Sequence, residues 1–159
     1  MSSNTFSSPE THRIAGISYR QLDYWIRTKL VRASKDAKGC GTRREFTYRD
    51  LVAVRAIAAL KAAGVSLQAI RRVQAELVRF AGNDDALRQG RLVIEQATKK
   101  PDVAVAIGDD EVLRLLNMPG QSAMRTVFSM APVYEQVDQG VRKLERERAK
   151  SAAKQGKAA

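Results

Sequence analysis

Ser18-Tyr19-Arg20-Gln21-Leu22-Asp23-Tyr24-Trp25-Ile26-Arg27 is the stretch whose side chains are best equipped for recognition. Ser18 followed three residues later by Gln21 is a capping-box pattern, in which each residue satisfies an orphan N–H of a new helix. Leu22, Trp25 and Ile26 fall at spacings of three and four, so one face of that helix is expected in the core. Tyr19, Arg20, Asp23, Tyr24 and Arg27 then point elsewhere, where a recognition surface would have to lie. A basic, glycine-containing run, Arg32 to Phe46, follows with no helical period. It reads as a two-stranded hairpin with a flexible tip. A short capped helix followed by a basic loop is the outline of a winged helix-turn-helix, and it makes DNA binding the leading expectation.

Catalytic chemistry lacks its ingredients. His12 is the only histidine and is expected on an exposed, charged helix. Cys40 is the only cysteine and sits in the basic loop, so no Cys/His pair or thiolate cluster can be drawn. Basic neighbours could make its thiol oxidisable, but an incidental small residue is the simpler account. Asp84-Asp85 and Asp109-Asp110-Glu111 could attract Mg²⁺, yet their positions near helix starts favour capping and macrodipole roles. Neither GxxxxGK[ST] nor GxGxxG occurs. We therefore expect no enzyme, no metal and no cofactor.

Charge points to a polyanion. The 159 residues carry 28 Lys/Arg and 17 Asp/Glu, a formal net charge of +11. Residues 1–80 hold 15 basic against 6 acidic side chains, residues 81–145 hold 8 against 10, and residues 146–159 hold 5 against 1. A one-signed field concentrated on one unit steers a polyanion to it and releases counterions on contact. A lone cysteine excludes an intramolecular disulfide. The start, MSSNTFSSPETH, lacks the apolar stretch of a secretory signal, and no apolar run approaches the ~20 residues of a membrane span. A cytoplasmic, nucleoid-associated protein without a membrane partner is expected.

Further elements must position that helix. Residues 1–8 read as disordered. Ser8-Pro9-Glu10 reads as an N-cap with a proline in the first turn, opening a short helix to Ala15 that ends at Gly16. Thr47 with Asp50 opens another helix, running to about Ala63 and burying Leu51, Val54, Ala58 and Leu60. Gly64 suits its C′ position and Ser66 caps the next helix, with Leu67, Ile70, Val73 and Leu77 at helical spacing. Arg91–Gln96 and Val103–Ile107 read as strands of a hairpin. Asp109–Asn117 looks helical, and Gln121–Met130 is ambiguous between helix and strand. A final helix from Val133 to about Lys150 places Tyr134, Val137, Val141 and Leu144 on one seam, either a dimer coil or a helix packed on its own domain. The fold class expected is mostly α: an N-terminal winged helix-turn-helix over 9–80, a small α+β effector or dimerisation segment over 81–150 ending in a helix, and a disordered basic tail over 151–159.

Residues 11–77 resemble the DNA-binding domain of the MerR family of transcription regulators. The matching runs are IAGIS, YRQLDYW with its exit RTKLV, GTRREFTYRDL, and AAGVSLQAIRRV. SYRQLDYW is similar in particular to small MerR-like regulators without a metal site. The resemblance implies that Ser18, Tyr19, Arg20 and Gln21 open the recognition helix at the major groove. Arg20 would reach a guanine edge or a phosphate in bidentate fashion. Gln21 would read adenine only if capping leaves its side chain free. Tyr24 matches a phosphate-contacting tyrosine, Arg27 lies on the same surface, and Arg43 and Arg44 match the wing on the backbone or minor groove. Two residues depart from the family pattern. Lys29 stands at a helix exit where glycine is common, and a left-handed lysine there would cost roughly 1 kcal/mol while adding charge to the DNA face. Asp23 stands where many relatives are basic, and could accept from a cytosine amine or orient Arg20 or Arg27.

The leading expectation is a sequence-specific double-stranded DNA-binding transcription regulator, acting as a homodimer on two half-sites, with RNA polymerase as a possible contact. The alternatives are an architectural, excisionase-like recombination directionality factor that bends DNA, and a ligand- or protein-interaction module over residues 90–145 with DNA binding secondary.

Overall fold

The computed structural model of the chain describes residues 5–35, 43–79, 88–96, 102–106, 110–111 and 124–156. The chain is mostly helical. Its elements are β1 (Phe6–Ser7), α1 (Ser8–Ala15), α2 (Tyr19–Arg27), β2 (Glu45–Phe46), α3 (Tyr48–Ala62), α4 (Leu67–Arg79), β3 (Arg91–Gln96), β4 (Asp102–Ala106), β5 (Met124–Ser129) and α5 (Ala131–Gly156). No helix among the described residues is long and apolar enough to cross a membrane.

Local signals account for the helix starts. In α2 the Ser18 hydroxyl accepts from Gln21 N–H at 3.1 Å, and the Gln21 side-chain oxygen accepts from Ser18 N–H at 3.0 Å. Thr47 and Asp50 close the same reciprocal box at α3, with Thr47 N–H donating to Asp50 at 2.7 Å. Ser66 caps α4 through Ala69 N–H. Gly64 follows α3 with φ +80°, the left-handed geometry that a C′ glycine supplies without strain. At α1 the cap is Ser7 rather than the expected Ser8. Glu10 accepts from both the N–H and the hydroxyl of Ser7 at 2.8 Å. Of the two serines, only Ser7 stands three residues before Glu10, as the box requires.

Residues 6–8 are ordered in β1 and the start of α1, which corrects the expected disorder of 1–8 at those positions, while residues 1–4 lie outside the described residues. Phe6 and Ser7 pair antiparallel with Phe46 and Glu45, so β1 and β2 form a two-stranded sheet. Both phenylalanines are fully buried, and burying an aromatic side chain outweighs the chain entropy that composition alone suggested. The expected hairpin is present at its base, where Lys35 bridges Glu45. Its tip, residues 36–42 with Lys38 and Cys40, lies outside the described residues. Leu67 also departs from expectation, being half exposed at the start of α4 while Ala69, Ile70, Val73 and Leu77 are buried.

The C-terminal part forms a three-stranded antiparallel sheet in the order β4-β3-β5. Ile94 pairs with Val103 on one side and Thr126 on the other. The ambiguous stretch 121–130 thus contributes a strand over 124–129. The expected helix at 109–117 lies almost wholly outside the described residues. One face of the sheet packs on α4 through Leu92, Ile94 and Val103.

Helix α5 returns to the N-terminal part and packs on α1 and α3. Val133, Tyr134, Val137 and Leu144 are buried and Val141 is packed against them. The seam is therefore occupied within its own chain and is no free dimer coil. Gly140 allows the close crossing, because a Cβ there would lie 2.8 Å from Ile14 Cγ2. A single buried cluster runs from Phe6 through Trp25, Leu60 and Ile94 to Leu144. The boundary expected near residue 80 falls outside the described residues, and the core extends on both sides of it. Helix α5 also continues to Gly156, where residues 151–159 were expected to be disordered. Ala152 and Ala153 are strong helix formers, which favours carrying the helix on.

Candidate nucleic-acid interface

Helix α2 is nine residues long and divides sharply by face. Leu22 and Trp25 are buried and Ile26 is half-buried against the core, whereas Tyr19 and Tyr24 are 51% and 58% exposed. Ser18, Arg20, Gln21 and Arg27 are exposed with them. The i, i+3, i+4 rule that buries three side chains thus delivers the others to solvent as one surface. Arg43 is exposed two residues before β2, and Arg44 is half-buried.

Capping engages the Gln21 carbonyl oxygen, so the bidentate pairing that adenine would need is not available in this conformation. The helix exit is as strained as its residue type suggested: Lys29 has φ +57°, the only non-glycine positive φ among the described residues. The strain is held by neighbours. Thr28 donates its hydroxyl to Tyr24 O at 2.9 Å, and both Leu30 and Val31 donate N–H to Trp25 O. Lys29 itself is exposed, next to the tyrosine-arginine surface.

Asp23 is the organising residue that the family pattern does not anticipate. It accepts from Arg27 Nε at 2.8 Å and from Arg27 Nη2, and on its other oxygen from Arg44 Nη1 at 3.3 Å. Its carboxyl is held below the usual carboxylate range, first by the Arg27 hydrogen bonds and then by the charges of Arg27 and Arg44. One acid therefore ties the residue before β2 to α2 and neutralises part of both arginines. Arg27 was within reach of sequence reasoning at i+4. Arg44, 21 residues away, was not.

His12 adds a contact that the sequence left unassigned. It is half-buried rather than exposed, donates Nδ1–H to Ile17 O at 3.1 Å, and meets the Tyr19 ring edge-on at 5.8 Å. The lone histidine thus braces the turn between α1 and α2 and supports a tyrosine of the exposed face.

A second polar cluster joins the N-terminal and C-terminal parts of the chain. Tyr48 donates to Asp138 at 2.5 Å, while Arg88 donates to Asp138 at 2.9 Å and to the Tyr48 oxygen at 2.8 Å. The Arg88 guanidinium also lies 4.6 Å from the Tyr134 ring centre. Burial opposes the charge on Asp138, but the Arg88 and Tyr48 hydrogen bonds outweigh it and lower its pKa. Burial and the Asp138 contact raise that of Tyr48. The cluster links the first residue of α3 to α5, and Tyr48, Arg88 and Asp138 all have partners within it. Among the described residues no group of three or more His, Cys, Asp or Glu is placed to hold a metal ion.

Comparison with known proteins places this architecture. Residues 6–77 match the family model described as MerR HTH family regulatory protein. Uncharacterized HTH-type transcriptional regulators of Mycobacterium bovis and Mycobacterium tuberculosis are 40% identical to this chain over 81 residues. That alignment covers 50% of this chain and 36% of each relative, so the chain spans about a third of the length of the curated relatives it matches. The capped helix α2, the β1–β2 pair, α3 and most of α4 lie inside the matched segment, which is thus similar to MerR HTH family regulatory proteins.

Proposed function

We propose that the chain is a sequence-specific double-stranded DNA-binding transcription regulator, with the N-terminal end of α2 in the major groove and the wing on the backbone and adjacent minor groove. The observation that carries this reading is the division of α2: Leu22 and Trp25 anchor it, while Tyr19, Arg20, Tyr24 and Arg27 lie exposed on a strongly basic half of the chain. Such a surface joins a base-reading fork to phosphate-gripping partners. The relatives bear the name of HTH-type transcriptional regulators, which supports the regulatory role. Arg20 is the base-reading candidate. Tyr24, Arg27, Lys29 and Arg43 serve the backbone, and Arg44 does so from its Asp23-held position. The protein acts as a homodimer on two half-sites, assembled through the sheet segment because the α5 seam is already covered within the chain. Bound beside promoter elements, the dimer lies within reach of RNA polymerase.

Recovery of genomic fragments by the purified protein at ~150 mM salt tests the reading, since screening there trims nonspecific attraction. A motif with paired inverted half-sites near promoters is expected. Direct repeats beside a recombination attachment site would instead indicate an architectural factor, and enrichment without a motif would sink sequence-specific recognition. Arg20→Ala should lower affinity for the recovered motif by ~1–3 kcal/mol and relax preference at one position. Unchanged specific binding would show that α2 does not read the bases.

A further inference from the structure

Helix α5 is longer than its packing requires. Among the described residues Leu144 is its last buried one and Arg148 the last with a hydrogen bond to the body, yet the helix continues to Gly156. Residues 149–154 are all exposed and include no large apolar side chain, so core burial does not explain the two further turns. Arg142, Arg146, Lys150 and Lys154 recur at a strict four-residue spacing and are all exposed. Four residues advance a helix by about 6 Å and return nearly to the same face, so these cations form one ladder. Among the described residues no hydrogen bond or ion pair engages Arg146, Lys150 or Lys154, and Lys150 acts on Glu147 only through space.

The place where α5 leaves the body gives the ladder a direction. Arg148 donates to Glu10 at 2.8 Å, near the N-terminal end of α1, and its guanidinium lies 5.8 Å from the Phe6 ring centre. Phe6 in turn pairs with Phe46 of β2. On the same crossing Arg13 pairs with Glu147 at 2.8 Å, so two ion pairs and the Gly140–Ile14 approach hold this exit. The free turns therefore start beside the β1–β2 pair.

We infer that the Arg146-Lys150-Lys154 ladder is a second DNA-contacting surface, which grips duplex phosphates flanking the segment engaged by α2 and the wing. The inference rests on the DNA-binding reading above and adds a contact outside the family-matched residues 6–77. Regularly spaced cations with no base-reading partner suit a sequence-independent polyanion. A lipid surface is the wrong occupant, because an interfacial helix needs an apolar face opposite its charges and residues 149–154 provide none.

The test uses the full chain and a triple variant, R146Q/K150Q/K154Q. Glutamine has nearly the helix propensity of lysine and arginine, and circular dichroism confirms that α5 is retained. Affinity for a mixed-sequence duplex is titrated from ~50 to ~200 mM salt, where each phosphate contact contributes about 0.9 to the log–log slope. The variant should have a slope shallower by about 2 to 3, one contact per removed cation. In parallel, the duplex should protect Lys150 and Lys154 of the unaltered protein from amine acylation, read by mass spectrometry. Equal slopes with binding retained would overturn the ladder and leave the α2 reading intact. A shallower slope without lysine protection would also overturn it, because the charges would then act from a distance. If the unaltered protein fails to bind duplex even at the lowest salt, the DNA-binding reading itself falls and the ladder with it.

Discussion

Helices α2 and α5 solve opposite problems. Helix α2 is nine residues long, opens on a reciprocal Ser18–Gln21 box and ends in a strained turn at Lys29. It buries Leu22 and Trp25, rests Ile26 on the core and engages Asp23 with Arg27 and Arg44, and leaves Tyr19, Arg20 and Tyr24 exposed. Helix α5 has 26 residues, and its seam is seated on α1 and α3 by apolar packing and by side-chain bridges from distant parts of the chain. A short helix is marginal in water and needs its caps, whereas a long one gains most from the face it buries. Where a helix must offer its side chains to a ligand, local chemistry holds its shape; where it must join regions, packing does.

The largest expected effect comes from removing the anchor of α2. Trp25 is almost fully buried, and Trp25→Ala should cost about 3–5 kcal/mol, read by denaturant unfolding. A loss below 1 kcal/mol would mean that the caps alone hold α2 and would break the comparison.

The bridge at α5 should cost less. Asp138→Asn leaves Arg88 and Tyr48 with a neutral partner and should destabilise by about 1–2 kcal/mol. The lowered pKa of Asp138 gives the effect a sign in pH. Its contribution is complete above the unfolded carboxylate value of about 3.9 and is lost as pH falls through the lower folded value. The thermal midpoints of the two proteins should therefore differ at neutral pH and converge in acid. A constant gap across that window would remove ionisation of Asp138 as the cause.

Lys29→Gly relieves the left-handed turn. It should stabilise the fold by about 0.5–1 kcal/mol, as relief of strain is partly offset by glycine's entropy in the unfolded chain. The same variant should bind DNA more weakly, having lost an exposed cation. Higher stability with undiminished binding would make the lysine purely a defect.

The smallest effect concerns Asp23 and is one of balance. Asp23→Asn should strengthen binding to random DNA and narrow the gap between specific and random sequence, because Arg27 and Arg44 lose their internal partner. A double-mutant cycle with Arg44→Gln separates this from simple charge. Coupling between the two changes is expected, and strict additivity would deny the link between Arg44 and α2.

Much of the N-terminal part was legible because its signals are local. Ser18 with Gln21, Thr47 with Asp50, and Gly64 each act within a few residues, so a linear reading finds them. The exposed set on α2 follows from the same periodicity, and the mostly helical class with a small C-terminal sheet was visible from period changes along the chain. The misses have more than one physical origin. Phe6 is ordered because Phe46, forty residues on, completes its strand. Ser7 displaced Ser8 as the cap because two serines offered themselves and only the Glu10 geometry chose between them. His12 looked like an exposed residue until the α1–α2 turn brought Ile17 and Tyr19 to it.

The amino-acid order alone determines where the helices start, which face of α2 is apolar, and where the positive charge is concentrated. These are consequences of hydrogen-bond reach, helical period and composition, none of which needs a partner from elsewhere in the chain. Folding in three dimensions decided that Asp23 clasps Arg44, that the Tyr134–Leu144 seam is closed on α1 and α3, and that α5 leaves the body beside the β1–β2 pair. Each of those depends on groups 21 or more residues apart in the chain, brought together by burial of one shared core, and no local pattern encodes which distant partner that core selects.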